Sequence, residues 1–170
     1  MTSPLACACI GALLLAPMAF ADVRVTFSEG APKDRFTFAN ISGCDLTEGE
    51  LLLDLSTSPA GLIFDTSSEG AGVDVFQPLE ITEGGEYLLS VPQVSDGDSL
   101  IILNFASFPK DTQISFTIDV DDTIGQREIT VNGAEIAGAG FTLKTTHGEY
   151  SAQFRQNAIA ETKAAFCRSR

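Results

Sequence analysis

The chain has 170 residues, 44% of them hydrophobic, and sets 10 Lys and Arg against 23 Asp and Glu, a formal net charge of −13. A surface so short of clustered cations excludes nucleic acid and anionic lipid as partners, because both need basic patches to neutralise phosphates. Two explanations of the acidity stand side by side: solubility in a salty medium, and binding of divalent cations.

The first 21 residues, MTSPLACACIGALLLAPMAFA, hold no charged side chain and end in Ala19-Phe20-Ala21, a pattern of small residues that signal peptidase reads. The apolar run is short for a membrane span and no charged stop follows it. Residues 1–21 are therefore expected to be a signal peptide cleaved before Asp22, leaving a secreted or periplasmic protein with no membrane span. One departure is that no Lys or Arg precedes the apolar run. Cleavage removes Cys7 and Cys9 and leaves Cys44 and Cys167, an even pair in an oxidising compartment, for which a disulfide is expected. In the chain-entropy account a loop of this span is stabilised by about 4–5 kcal/mol.

From Asp22 onward the dominant period is two, in short runs broken by Gly, Pro, Ser and Asp, which predicts an all-β sandwich. DVRVTFSE places Val23, Val25 and Phe27 on one face and Arg24, Thr26 and Ser28 on the other; RFTFANI repeats this with Phe36 and Phe38 inward. ELLLDLST offers Leu51, Leu53 and Leu55 to the core, GLIFD and VDVFQPL read as short strands, and YLLSV is expected to bury Tyr87, Leu89 and Val91. SLIILNFA is apolar on both faces up to Asn104, which suggests a central strand covered on both sides. QISFTIDV returns to strict alternation with Ile114, Phe116, Ile118 and Val120 inward. Asn132-Gly133 reads as a two-residue hairpin turn between REITV and AEIAGAGFTL. The count is about nine strands, consistent with a single immunoglobulin-like or jelly-roll β-sandwich over residues 22–143.

After Leu143 the chain turns cationic. Residues 144–170 are expected to form a tail: a final strand through Tyr150, Ala152 and Phe154, then a short helix in the Ala-, Glu- and Lys-rich window from Asn157 to Phe166. Cys167 would staple that tail to the loop carrying Cys44. An unstructured tail is the alternative.

The stretch ISFTIDVDDT runs a strand out into Asp119, Asp121 and Asp122. Three carboxylates at one strand end are costly without a counter-ion, and Ca²⁺, which takes six to eight oxygens, is the expected cofactor if there is one. Further oxygens could come from Asp65, Glu69 and Asp74 in FDTSSEGAGVD and from Asp96 and Asp98 in SDGD. The stretch is no EF-hand, since Ile124 stands where the glycine belongs and Thr130 where the bidentate Glu belongs. The competing reading is that Asp121 and Asp122 cap a turn and sit in water.

Catalysis finds little to rest on. The sole histidine, His147 in TTHGEY, has no G-x-S-x-G serine beside it, and one His with two oxidised Cys cannot fill a tetrahedral zinc site. A carboxylate pair of the glycosidase kind stays open, although the chain has no Trp and only Tyr87 and Tyr150 as polar aromatics.

APKDRF, GLIFD, GAGVDVFQP and SFTIDVDDT together resemble a group of small exported bacterial proteins described as "aggregation factor core". The resemblance covers roughly Asp22 to Leu143 and has IDVDD as its most distinctive part; the cationic tail does not match. It implies an exported β-rich protein with an adhesion or aggregation role and brings no active site with it. The expected function is a non-catalytic binding or adhesion module whose partner is a protein or an extracellular polysaccharide. The alternatives are a carboxylate-dependent envelope hydrolase and a surface subunit that assembles with copies of itself through an edge strand.

Overall fold

Alternation of period two becomes two antiparallel sheets in the computed structural model, which describes residues 23–68, 76–124 and 130–163. The strands are β1 (Val23–Ser28), β2 (Asp34–Asn40), β3 (Leu46–Asp54), β4 (Ile63–Asp65), β5 (Glu80–Glu83), β6 (Leu100–Phe108), β7 (Gln113–Asp121), β8 (Gly140–Thr145), β9 (Gly148–Gln153) and β10 (Ile159–Glu161). The first sheet runs β10-β1-β2-β7, and the far edge of β7 is shared by β5, opposite Ser115–Thr117, and β4, opposite Asp119–Asp121. The second runs β6-β3-β8-β9. Among the described residues there is no α-helix, and no helix is long and apolar enough to cross a membrane. The all-β sandwich expected from the periodicity is the fold observed.

The inward faces are those the alternation assigns. Val23, Val25, Phe27, Phe36, Phe38, Ile114, Phe116, Ile118 and Val120 from the first sheet meet Leu51, Leu53, Ile101, Leu103, Phe141 and Leu143 from the second, all buried. Aromatic rings bridge the strands: Phe36 lies 5.1 Å from Phe27 and 5.2 Å from Phe116, and Phe38 lies 5.6 Å from Phe141 in the opposite sheet.

Tertiary context overrides the local pattern in four places. Residues 85–87 form a 3₁₀ turn, and YLLSV follows it as irregular chain with one bridge, Leu88 to Phe105; Leu89 and Val91 are 60% and 56% exposed, not buried. SLIILNFA is no central strand, because β6 lies at the edge of its sheet and Leu100 is exposed. Asn132-Gly133 opens a turn, and no strand follows it before Gly140; of REITV only Thr130 and Val131 lie among the described residues. The Asn132 side chain accepts the Ala134 and Glu135 N–H groups while Glu135 accepts the Asn132 N–H, a reciprocal capping box that closes residues 132–136 on themselves. The expected helix from Asn157 begins as β10: Ala158 takes φ 58 after the turn at Arg155, and Ile159–Glu161 then pair with Thr26–Arg24. A window this short gains little as an isolated helix, whereas the open edge of β1 offers ladder hydrogen bonds and a buried place for Ala160. The domain boundary drawn at Leu143 falls inside β8, and the residues beyond it supply β9 to one sheet and β10 to the other.

Asn40, fully buried at the end of β2, ties the two sheets together at the Cys44 end. Its Nδ2 donates to the Phe108 carbonyl at 2.7 Å and the Cys44 carbonyl at 2.9 Å, and its Oδ1 accepts from the Ser42 N–H and hydroxyl. Asn40→Ala leaves the Phe108 carbonyl without its amide donor and the Cys44 carbonyl with only the Ser42 hydroxyl, so a loss of about 1–3 kcal/mol is expected in the urea unfolding free energy. A loss below ~0.5 kcal/mol would show that water replaces the amide there.

Candidate cation site

β7 alternates as the sequence predicts, yet its outer face is covered as well: Ser115, Thr117, Asp119 and Asp121 are all buried. β2 pairs one side of β7, and β5 and β4 divide the other.

Period two puts Asp119 and Asp121 on one face, and the β4–β7 register sets Asp65 directly opposite Asp119, with Ile63 opposite Asp121. One carboxylate oxygen from each of Asp65, Asp119 and Asp121 lies within 4.8 Å of the others, and the three residues are 0%, 4% and 1% exposed. Backbone bonds hold the arrangement. The Gln77 N–H donates to the Asp65 carbonyl and the Asp119 N–H to the Gln77 carbonyl, both at 3.2 Å, so residue 77 clamps β4 to β7. On its other side β4 is bound by the 95–98 turn, where the Phe64 N–H donates to the Asp98 carbonyl and Asp96 Oδ1 accepts from the Thr66 and Ser67 N–H groups. Past the strand end, the Thr123 hydroxyl donates to the Gly61 carbonyl at 2.7 Å. Gly61, at φ 65, has no Cβ to press on that hydroxyl.

The electrostatics follow from burial of like charges. Burial first, then the charges of Asp121 and Asp65, pushes the Asp119 carboxyl up to about 7, against a downward pull from the Val120 N–H. Burial, the neighbouring Asp96 carboxyl and the Asp121 charge push Asp65 up to about 6. The Ser67 N–H pulls the other way, though neither Asp65 oxygen makes a hydrogen bond of ordinary geometry among the described residues. Asp96 can be a partner only while one of the two carboxyls keeps its proton, since two ionised carboxylates hold no donor between them. The Thr117 hydroxyl, on the same face of β7, is buried without a partner as well.

Asp34 stands beside this cluster on the core side. β2 begins there while β7 runs on, and the Asp34 carboxylate takes the Val120 N–H at 3.2 Å and the Gly30 N–H at 3.1 Å. Burial raises it to about 7; those two donors oppose the rise and the Asp119 charge adds to it.

The sequence placed the site at Asp119, Asp121 and Asp122. The structure brings the first two together with Asp65, which the sequence offered only as one of several further oxygens. Asp122, buried just past the strand end, is not among the carboxylates that converge. Asp96 sits next to Asp65, while Asp98 caps its own turn by accepting the Ser95 N–H. Glu69 and Asp74 lie outside the described residues. The signal carrying Asp65 was the alternating GLIFD run, but choosing it needed the strand register.

Cys44 is disulfide-bonded, and the expected partner Cys167 lies outside the described residues, as does the expected signal peptide. Cys44 lines a small depression of about 90 Å³ with Thr145 and His147.

Fold and site together define an antiparallel β-sandwich with a buried group of three aspartates at one sheet edge. No protein-family model matches the chain, and no curated protein matches it.

Proposed function

We propose that this chain is an exported, non-catalytic binding module that acts in adhesion or in a cell-surface matrix. The observation that carries the reading is the placement of its acids. Asp65, Asp119 and Asp121 are buried under the sheet edge, where no polymer chain can reach them, whereas a carboxylate-dependent hydrolase needs its pair facing a cleft. The groove of about 360 Å³ holding Glu83, Glu86 and Asp111 beside Tyr87 is open and lined mainly by polar groups, without apolar walls to enclose a substrate. The resemblance to exported proteins linked with aggregation supports the same reading, with a protein or extracellular polysaccharide as partner. Self-assembly is a second reading. It has β9 in its favour, an outer strand with no proline and Glu149 as its one charged residue.

Protein recovered from the exported fraction is expected to begin at Asp22 and, through a Cys44–Cys167 bond, to show no alkylatable thiol before reduction in mass spectrometry. It should co-sediment with whole cells or isolated envelope polysaccharide without degrading either. Release of reducing ends, lost on Glu83→Gln or Glu86→Gln, would replace the module by the hydrolase. Concentration-dependent polymers without any surface partner would favour the assembling subunit.

A further inference from the structure

We infer that Asp65, Asp119 and Asp121 form a binding site for a hard divalent cation of calcium size at the β4–β7 edge. Acidic residues close together would not suffice for this. What points to a ligand is Asp65, fully buried, aimed into the cluster and without a hydrogen bond of ordinary geometry to either carboxylate oxygen among the described residues. A buried carboxylate can be satisfied by a donor, a proton or a cation. None of the described ion pairs involves Asp65 or Asp119: they join Arg24 with Glu161, Lys33 with Glu80 and Lys144 with Glu50. With no such hydrogen bond to Asp65 and no ion pair to Asp65 or Asp119 among the described residues, a cation answers the remaining need.

Ligand type and flexibility favour calcium. Three oxygens spread evenly around Ca²⁺ at about 2.3–2.6 Å stand roughly 4.0–4.5 Å apart, compatible with a set that lies within 4.8 Å of one another. Mg²⁺ demands near-octahedral geometry at about 2.0–2.1 Å and gives up its water reluctantly. Calcium also accepts irregular coordination, with water or a bidentate carboxylate completing the shell. Ion binding and adhesion are separable, since calorimetry on the purified protein reads the ion and co-sedimentation reads the surface partner.

The test is calorimetric titration of chelator-stripped protein with CaCl₂ and with MgCl₂ at ionic strength matched by NaCl, together with melting curves. Saturable binding of Ca²⁺ is expected, with a rise in melting temperature of roughly 5–10 °C once the ion exceeds its Kd a hundredfold. Asp65→Asn should weaken calcium binding by on the order of tenfold or more, and Asp119→Asn likewise, whereas Asp122→Asn should leave it within about twofold. Because Asp65→Asn removes one of several repelling charges, its ion-free form should melt at or above the wild type, which separates lost binding from lost folding. Equal responses to calcium and magnesium at matched ionic strength would reduce the effect to screening and overturn the site. So would an Asp65→Asn variant that keeps wild-type calcium affinity, or dependence on Asp122 in its place.

Discussion

Phe36→Ala is expected to cost about 3–5 kcal/mol, a large fraction of the roughly 5–15 kcal/mol that holds a domain folded. Phe36 is fully buried on β2, and its ring touches Phe27 on β1, Phe116 on β7 and, at 6.4 Å edge-on, Phe154 beyond β9 in the opposite sheet. Truncation removes the transfer energy of the ring and leaves a cavity between three strands and a facing sheet. Ladder hydrogen bonds on both sides of β2 keep that space from collapsing. Urea titration followed by circular dichroism reads the effect as a fall in midpoint at unchanged slope. Leu89→Ala is the companion measurement. At 60% exposure it should change stability by less than about 1 kcal/mol, although YLLSV looks as apolar in sequence as the runs that form the core. Similar losses in the two variants would mean that 88–91 packs on the sandwich and that Phe36 is not its hub.

Stability of the ion-free protein is expected to fall as pH rises from about 4 to about 7, the reverse of the usual behaviour of paired carboxylates. Asp34 and Asp119 are raised to about 7 and Asp65 to about 6, while in the unfolded chain each titrates near 4. Between those limits the folded state holds protons that the unfolded state has released. The slope of unfolding free energy against pH is then negative, and the cost is complete once pH passes the folded values. One pair acts in the opposite sense: Lys33 lowers the Glu80 carboxyl, a stabilisation present at neutral pH and lost in acid, but both side chains reach solvent and the gain is small. Melting curves in chelator at constant ionic strength, at pH 4.5, 6.0 and 7.5, should give successively lower midpoints, and Asp119→Asn should flatten the trend. A midpoint that rises across this window would show that the buried carboxylates are already satisfied by donors or cations of the protein itself. Saturating calcium should remove most of the fall, because a bound divalent charge favours the ionised ligands.

Alternation is a local property, and the residues alone settled whatever depends on it. The chain is all-β, Val23, Val25, Phe36, Phe38, Ile114, Phe116 and Ile118 face inward, and Asp119 and Asp121 share a face, because consecutive side chains on any strand must point to opposite sides. Pairing is not local, and there the structure decided. SLIILNFA has the apolar content of a covered strand but lies at an edge, since nothing within those eight residues encodes how many neighbours the sheet provides. The window after Asn157 has helix-forming composition, yet the unfilled edge of β1 drew Ile159–Glu161 into the sheet. In IDVDD the three aspartates look alike, but the strand ends at Asp121 and only the β4–β7 register brings a third carboxylate, Asp65, opposite Asp119. Hydrogen bonds made between strands far apart in the chain set that register, so a site assembled across it becomes legible only when the sheet has formed.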